Sequence, residues 1–379
     1  MEKLKANVII WGNDNYNVLG LLRQLTPYIE NVLFLINGKK GLCATKSKYC
    51  RHYKVVPSIR AGIEYLLELG ECSHGKTFVI TSSDLLAEAV DQHRDKLSQY
   101  YILSTTSETG ILTRALDKNY QCEMARKVGI DVPASQLFNS ETEVDGITYP
   151  CLIKPAFKKP DVHHPFKTRI CHNESELKAA QGLLDKNGTY VLQQYIRKVK
   201  DLLVYGCRMG TGKVVYAGSF TKYRWVYGDG SYGTVDSEIP VSIDIEKLNA
   251  FLTEIDYRGL FSAEFGEEDG IAWFYEFNLR NDGTSHYFYQ AGLANLPLAW
   301  VKYHLDGTVA ESKKESQQVF MDEIGDYANV RDGLISEAEW KIQRRKATLF
   351  KYYDKEDKIP YYYAKAYQWL VRIYHIIKK

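Results

Sequence analysis

Short apolar runs alternate with amphipathic segments along the first hundred residues. The pattern predicts strands over 7–11, 32–36 and 77–80, and helices over 18–25, 63–69 and 84–93. Strands that alternate with helices are typical of a parallel sheet with crossover helices, which binds ligands at the carboxyl ends of its strands. Gly12 and Ser82-Ser83-Asp84 would lie at that edge. No G-x-G-x-x-G fingerprint follows a strand here, so this unit is predicted to be scaffold and one wall of a substrate pocket, without a dinucleotide.

From about residue 112 the pattern changes to mixed helices and antiparallel hairpins. Helices are predicted over 117–128, 175–184 and 245–255, and strands over 150–155, 190–194, 202–209, 214–221, 261–266 and 271–278. Gly210-Thr211-Gly212 indicates a hairpin turn. The segment 227–233 is so rich in glycine that we expect a surface loop, a candidate lid over the site.

Length and composition agree with two or three globular units. The chain has 379 residues, 45% of them apolar, and its formal net charge is +2, which is too balanced to indicate nucleic-acid binding. Seven cysteines without a C-x-x-C motif indicate reduced thiols in a cytoplasmic protein. No apolar run approaches the ~20 residues needed to cross a bilayer, so we expect a soluble protein, at most attached to the inner membrane surface.

The second late hairpin carries the most informative polar residues. Glu276, Asn278 and Arg280 are alternate residues, so an extended chain points them to one face, opposite Tyr275 and Phe277. A three-residue turn at 268–270 would pair 267 with 271. That register places Glu264 diagonal to Glu276 on the same face.

Two converging carboxylates repel each other unless one is protonated or a cation lies between them. Carboxylate oxygens together with an amide oxygen suit Mg²⁺ or Mn²⁺. The hairpin therefore predicts a metal site formed by Glu264, Glu276 and Asn278, although a solvated hairpin face would show the same alternation.

Two lysines upstream have unlike settings. Lys118 follows Asp117 at a helix start, and Lys154 ends the apolar strand 151–153 just before Pro155. A lysine that ends a buried strand is either a structural charge or a point charge for phosphate. The apolar strand 191–196 ends where its backbone groups could meet a flat base.

Together these residues resemble the ATP-grasp superfamily, in its carbamoyl-phosphate-synthetase-like and biotin-carboxylase-like branch. The spacing Glu264–x11–Glu276–x–Asn278–x–Arg280 is similar to that branch's metal and phosphate signature, and the likeness covers about residues 1–310. The overall pattern is most similar to ATP-dependent carboxylate–amine ligases such as D-aspartate ligase. The implied fold is α/β and α+β, with an amino-terminal Rossmann-like domain (1–110), an ATP-grasp domain (111–310, sub-lobes 111–188 and 189–310) and a helical extension (311–379).

The resemblance implies a role for each candidate residue. Lys118 and Lys154 would hold the α and β phosphates of ATP, while Glu264, Glu276 and Asn278 would bind two Mg²⁺ ions and Arg280 would stabilise the transferred phosphoryl group. The adenine and ribose would meet Gln193, Gln194, Tyr195, Ile196 and Asp201, and Arg224 would bind phosphate or a substrate carboxylate. The family usually has a glycine-rich loop after the second lysine, but the loop 156–168 is basic and has no glycine.

The implied reaction is amide formation. Phosphorylation of a carboxylate by Mg-ATP gives an acyl phosphate, and an amine then displaces the phosphate. The alternatives are a small-molecule kinase and an idle nucleotide-binding protein with a membrane- or partner-binding carboxyl-terminal helix. The partners are small-molecule carboxylates and amines, whose identity the residues leave open, as they do the oligomeric state.

The carboxyl-terminal segment has its own composition. Residues 338–379 contain eleven lysines and arginines against four acidic residues, together with ten aromatic residues. Pro360 suits the start of a helix that runs to about residue 377. Either these aromatic residues pack back on the ATP-binding domain, or the helix contacts a membrane surface or a partner.

Overall fold

The computed structural model describes residues 2–41, 43–72, 75–144, 146–156, 163–166, 168–226, 228–311 and 313–377, with side chains to residue 371. Five parallel strands in the order β3-β2-β1-β4-β5 form the amino-terminal sheet. Its elements are β1 (Leu4–Gly12), α1 (Tyr16–Leu25), β2 (Ile29–Asn37), β3 (His52–Val56), α2 (Ile59–Cys72), β4 (Thr77–Thr81), α3 (Asp84–Gln92), α4 (Arg94–Leu97) and β5 (Tyr101–Leu103). The predicted parallel sheet is confirmed.

The carboxyl ends of β1 and β4 lie against each other. The N–H of Ser82 donates to the carbonyl of Trp11, and a Cβ at Gly12 would lie 2.1 Å from the Ser82 hydroxyl oxygen. Glycine is therefore required at residue 12 for this close approach. Asn15 then caps α1 by accepting hydrogen bonds from the N–H groups of Asn17 and Val18.

A smaller sheet follows in the order β6-β9-β7-β8. Its pairs are antiparallel, and Lys154 lies near the end of β7, as predicted. The elements of this region are α5 (Ile111–Ala115), α6 (Lys118–Lys127), β6 (Ser135–Phe138), β7 (Cys151–Pro155), β8 (Arg169–Cys171), α7 (Glu174–Gln181) and β9 (Tyr190–Gln194). Most of the basic loop predicted at 156–168 lies outside the described residues.

The largest sheet has the order β14-β13-β10-β11-β12-β15-β16. Its strands are β10 (Lys200–Arg208), β11 (Val214–Val226), β12 (Asp229–Asp236), β13 (Gly259–Glu268), β14 (Ile271–Asn278), β15 (Gln318–Met321) and β16 (Leu349–Phe350). The helices between and after them are α8 (Ile245–Glu254), α9 (Ser285–Gln290), α10 (Leu296–Asp306), α11 (Ala328–Arg331), α12 (Glu337–Lys346) and α13 (Ile359–Ile377).

The glycine-rich segment 227–233 was expected to be a loop, and this was wrong for its described part. Residues 229–236 form β12, which is paired with β11 on one side and β15 on the other. A Cβ at Gly233 would lie 2.1 Å from the carbonyl oxygen of Thr221, and one at Gly230 would lie 2.9 Å from the side chain of Lys222. The glycines allow close strand packing here, and this segment is not available as a lid.

One core joins the amino-terminal unit to the large sheet. It contains the apolar face of α1, inward residues of β10 and β11, and residues of α9, α10, β15 and β16. The carboxyl ends of β1 and β4 consequently face the polar ends of β13 and β14. The fold therefore places the two predicted sites, from opposite ends of the chain, on the two walls of one cleft.

The carboxyl-terminal extension contributes strands as well as helices, and the predicted division into three domains stays a prediction. Its course is fixed at Asp357, which accepts hydrogen bonds from the guanidinium of Arg23 (3.0 Å), the hydroxyl of Ser47 (2.6 Å) and the N–H of Lys48 (3.0 Å). Up to this residue the extension packs back on the protein. Helix α13, which follows, leaves most of its aromatic side chains exposed.

Candidate active site

A cleft of about 390 Å³ lies between the amino-terminal sheet and the large sheet. One wall is formed by Asn15, Tyr16 and the Ser82–Asp84 turn at the carboxyl ends of β1 and β4. The other wall is polar and comes mostly from β11, β13, β14 and the residues after β14: Lys222, Glu264, Glu276, Asn278, Arg280 and Asp282. Four of the predicted site residues are thus together in one cleft.

Glu264 and Glu276 lie directly opposite each other on β13 and β14. The predicted register, with 267 opposite 271 and the two glutamates diagonal, was wrong. Asp269 and Gly270 both have positive φ (52° and 80°) and form a two-residue turn of the I′ type, so 268 pairs with 271. A bulge between Phe274 and Glu276 then adds one residue to β14 and brings the glutamates face to face.

Cationic side chains surround the opposed carboxylates. The Nζ of Lys222 lies 2.8 Å from Oε2 of Glu264, and the Nζ of Lys118 lies 2.5 Å from Oε2 of Glu276. Burial raises the pKa of Glu264, with Asp282 and Glu276 adding to the rise and Lys222 opposing it. Burial alone would lower the pKa of Lys222, but Glu264 raises it above its ordinary value, so this lysine keeps its charge.

Asn278 and Arg280 are fixed by their neighbours on the same face. The amide of Asn278 donates to Oε1 of Glu264 (3.2 Å), and its oxygen accepts from Arg280 (2.8 Å). Arg280 also pairs with Asp84 across the cleft (2.8 Å). Although burial opposes it, Arg280 and the hydrogen bonds from Thr284 hold the pKa of Asp282 below its usual range. The face therefore holds a preformed set of alternating charges.

Lys154 lies near this face but on the smaller sheet. Its Nζ donates to Oε1 of Gln193 at 3.0 Å. The pKa of Lys154 is lowered by burial and by the positive charge of Lys118, while Glu276 raises it. Lys154, Lys118 and Glu276 are thus close enough to interact electrostatically. The two lysines concentrate positive charge beside Glu276.

The residues predicted to meet adenine lie at the end of β9. The N–H of Gln194 donates to the carbonyl of Ala134 (2.8 Å), and that of Tyr195 donates to the carbonyl of Pro150 (3.1 Å). Because its N–H is used here, adenine binding by the backbone of Gln194 would depend on its carbonyl oxygen. Ile196 is buried beside it.

Asp201, the predicted ribose ligand, is buried outside the residues that line the cleft. Its Oδ2 accepts hydrogen bonds from Lys198 (2.6 Å) and from the indole of Trp225 (2.5 Å). Its Oδ1 has no hydrogen-bond partner among the described residues. A ribose hydroxyl would supply the missing donor.

Arg224 is not among the residues that line the cleft, and its predicted role toward phosphate or substrate stays a prediction. Its guanidinium pairs with Asp326 through two nitrogens (3.2 and 2.6 Å) and donates to Gln343 (2.6 Å). It also stacks over the ring of Tyr232, 4.1 Å from the centroid. All three nitrogens of the guanidinium are used in contacts that attach the carboxyl-terminal extension to the sheet.

Lys222 and Lys351 also line the cleft, and neither was predicted from the sequence as a residue of the site. Lys351 enters the cleft just after β16, with its Nζ 3.3 Å from Asp322, 3.4 Å from Asp229 and 4.3 Å from the ring centroid of Tyr16. Lys222 could have been predicted, because its side chain lies on the same face of the sheet as Glu264 and pairs with it. Lys351 offered no such signal, since it reaches the cleft only through long-range strand pairing.

The donors on this face suit a divalent cation associated with phosphate. Like charges directly opposite each other on neighbouring strands destabilise a sheet, and a cation between them removes the repulsion. In the described part of the chain no three His, Cys, Asp or Glu side chains are arranged as a complete metal site. Glu264, Glu276 and the amide oxygen of Asn278 would therefore supply only part of the coordination, which is how Mg²⁺ is bound when phosphate supplies the rest.

Known structures share this architecture. N5-carboxyaminoimidazole synthetase from Staphylococcus aureus, complexed with ADP, superposes with a TM-score of 0.65 at 14% identity over 88% of this chain and 87% of that one. Biotin carboxylase from Campylobacter jejuni, in a complex with an ATP analogue, gives 0.62 at 15% identity over 83% and 74%. L-amino acid ligase from Bacillus licheniformis gives 0.58 at 13% identity over 82% and 76%.

These three proteins are ATP-grasp enzymes of the biotin-carboxylase-like branch. The chain therefore has the ATP-grasp fold, and the predicted fold class is confirmed. By sequence, no family model and no curated protein matches the chain.

Proposed function

We propose that this protein is an ATP-dependent carboxylate–amine ligase. The observation that carries the proposal is the pair of opposed carboxylates, Glu264 and Glu276, between Lys222 and Lys118 on the wall of a cleft. Like charges that face each other on neighbouring strands destabilise a sheet, so a half-buried pair of this kind is expected where it serves a cationic ligand. Solved structures with this fold include one titled as a synthetase and one titled as a ligase.

Mg²⁺ or Mn²⁺ would be held by Glu264, Glu276 and Asn278. When bound, the cation would neutralise charge on the β and γ phosphates of ATP. Lys118 and Lys154 would bind the phosphates beside it, and Arg280 would orient and neutralise the transferred phosphoryl group. Asp84 holds the guanidinium of Arg280 in place from the opposite wall.

The reaction takes place in two transfers. A substrate carboxylate oxygen attacks the γ-phosphorus of ATP, which forms an acyl phosphate and releases ADP. The amine nitrogen then attacks the acyl carbon, forms the amide bond and expels phosphate, which leaves far more readily than oxide. The cleft supplies positioning and positive charge, and no nucleophilic side chain is needed for either transfer.

The proposal is tested by measuring ADP and phosphate release with Mg-ATP over a panel of carboxylates crossed with a panel of amines. A ligase releases ADP and phosphate in equal amounts only when both an acid and an amine are present, and it forms the amide. Release of ADP with a single substrate that retains the phosphate would identify a kinase. Absence of turnover with every pair, in a protein that binds ATP, would identify a nucleotide-binding protein.

The metal site is tested with Glu276→Gln. We expect turnover to fall by about 100-fold or more, since a preorganised charge at the transferred group contributes about this much. Circular dichroism and the unfolding midpoint should be unchanged. Glu267→Gln is a matched control on the same hairpin, because Glu267 pairs with Lys200 outside the cleft. Wild-type rates for Glu276→Gln would contradict the metal assignment.

A further inference from the structure

Helix α13 turns its apolar side outward. Among its described side chains, Ile359, Tyr362, Tyr363, Tyr367, Trp369 and Leu370 are 44–62% exposed. At 3.6 residues per turn they occupy a continuous arc of about 160°. Pro360 and Ala364, on the other side, are buried against the protein. A surface helix of a globular protein normally has the opposite arrangement, with the apolar stripe toward the core.

The exposed arc belongs to a purely basic segment. Residues 358–379 contain Lys358, Lys365, Arg372, Lys378 and Lys379 and no acidic residue. Within the described side chains, Lys365 borders the aromatic arc and lies over the ring of Tyr361, 5.7 Å from its centroid. Aromatic residues beside basic ones are typical of helices that lie in the interface of an anionic bilayer.

The charge distinguishes between possible occupants of this face. A second copy of the chain packed on the same arc would bring together two basic segments, neither of which contains an acidic residue. An anionic surface instead complements all five charges. No helix among the described residues has the length and apolarity needed to cross a bilayer. The helix could therefore lie in the interface but not span it.

The orientation of the helix is set by the protein. Two residues before α13 begins, Asp357 is held by buried Arg23 and by residues of the 44–47 turn, and Lys46 lies over the ring of Tyr363 at 4.5 Å. A groove of about 370 Å³ between α13 and Ile324 extends the apolar surface beside Tyr362 and Trp369. The face is thus rigidly presented at its amino-terminal end.

We propose that α13 docks this protein on anionic lipid surfaces, with Tyr362, Trp369 and Leu370 inserted at the level of the headgroups. This inference does not depend on the nucleotide site. The exposed face of α13 would bind the bilayer by inserting its apolar side chains and by attracting anionic headgroups to its basic residues. The same geometry would hold the cleft at a fixed distance from the membrane, because Asp357 joins α13 to the segment that supplies Lys351.

The test is co-sedimentation of the full chain with vesicles, without nucleotide. We expect binding to vesicles of phosphatidylcholine with phosphatidylglycerol and much weaker binding to phosphatidylcholine alone. Raising the salt from about 0.1 M to about 1 M should weaken binding, because it shortens the Debye length from about 10 Å to about 3 Å. Combined Tyr362→Ala, Trp369→Ala and Leu370→Ala should lower the partition coefficient by about tenfold or more, since three large side chains no longer leave water.

A control removes three apolar side chains elsewhere that are at least as exposed as those of α13: Leu183→Ala, Val241→Ala and Leu334→Ala. This control should bind vesicles as the wild type does. The proposal is overturned if wild-type protein fails to bind anionic vesicles or if both triple variants bind equally well. It is also overturned if sedimentation without lipid shows a dimer that only the α13 variant abolishes, since a second copy would then cover the face. ATP turnover of the α13 variant is measured separately, so failure of either proposal leaves the other standing.

Discussion

The cleft and helix α13 depart from the usual distribution of residues in opposite directions. In the cleft, Lys222 is buried and its partner Glu264 is half-buried, although charged residues are seldom buried. On α13, Trp369 and Leu370 remain in water although apolar residues of their size are normally covered. Neither arrangement is explained by the stability of the isolated chain. Both are explained if each region binds a partner from outside the chain. The cleft would bind a charged ligand, and α13 would bind the interface of a lipid bilayer.

The side chains of the two regions also differ in how firmly the protein holds them. The cleft side chains are held by ion pairs from several elements, so their geometry is preorganised. Side chains of the α13 arc have few contacts to lose and should tolerate substitution. Variants of the two regions are therefore expected to differ in their effect on the free energy of unfolding.

The largest effect is expected from Lys222→Met, which leaves the carboxylate of Glu264 without its partner. Breaking a buried ion pair from one side costs about 3–5 kcal/mol, and we expect the lower end because Glu264 is 23% exposed. Urea unfolding measures the change. The double variant with Glu264→Gln should recover most of it.

Lys200→Met is the matched control for this variant, because Lys200 pairs with Glu267 on the same strand as Glu264 but is 30% exposed, against 8% for Lys222. It should cost less than about 1 kcal/mol. Equal destabilisation by Lys200→Met and Lys222→Met would mean that the ion pair in the cleft contributes no more to stability than one outside it.

A smaller effect is expected from Lys154→Ala on ATP binding. A hydrogen bond to a charged group contributes about 1.5–3 kcal/mol, so the Kd should rise by about tenfold or more. Calorimetric titration measures it. Lys127→Ala serves as control because Lys127 is at the far end of α6, paired with Glu254. Unchanged affinity in Lys154→Ala would separate this lysine from the nucleotide site.

The smallest effect is expected when the α13 triple variant is unfolded in urea without lipid. Exposed substitutions change the free energy of unfolding by about 0.5 kcal/mol or less each, so the total should stay within about 1.5 kcal/mol. A larger loss would show that the arc is covered within the protein. That result would remove the contrast between the two regions.

The pattern of the chain was sufficient to place the central residues of the site on one face. Glu276 and Asn278 alternate with buried Phe277, and alternation fixes the face of a strand whatever its partners. It did not fix the register to β13, because a two-residue turn and a bulge each shift the pairing by one residue. Asp269-Gly270 is the sequence signal for that turn, but the bulge before Glu276 depends on packing.

Local sequence patterns do not predict contacts between residues that are far apart in the sequence. Arg224 lies 102 residues from its partner Asp326, and nothing around Arg224 indicates that its charge is already satisfied. The glycines of β12 likewise suggest a loop until β11 and β15 are placed on either side. Composition did identify the basic, aromatic segment 338–379. It could not show that the apolar side of α13 faces outward, because that orientation depends on how Asp357 is held by the rest of the protein.

The position of Lys351 has a consequence for biosynthesis. A ribosome makes the polar walls of the cleft, from Ser82 to Asp282, before it adds this lysine. Asp229 and Asp322 in the nascent protein therefore lack their shared cation until residue 351 has been added. A chain stopped by a premature stop codon before residue 351 would keep the strands that carry the glutamates and still lack a finished pocket.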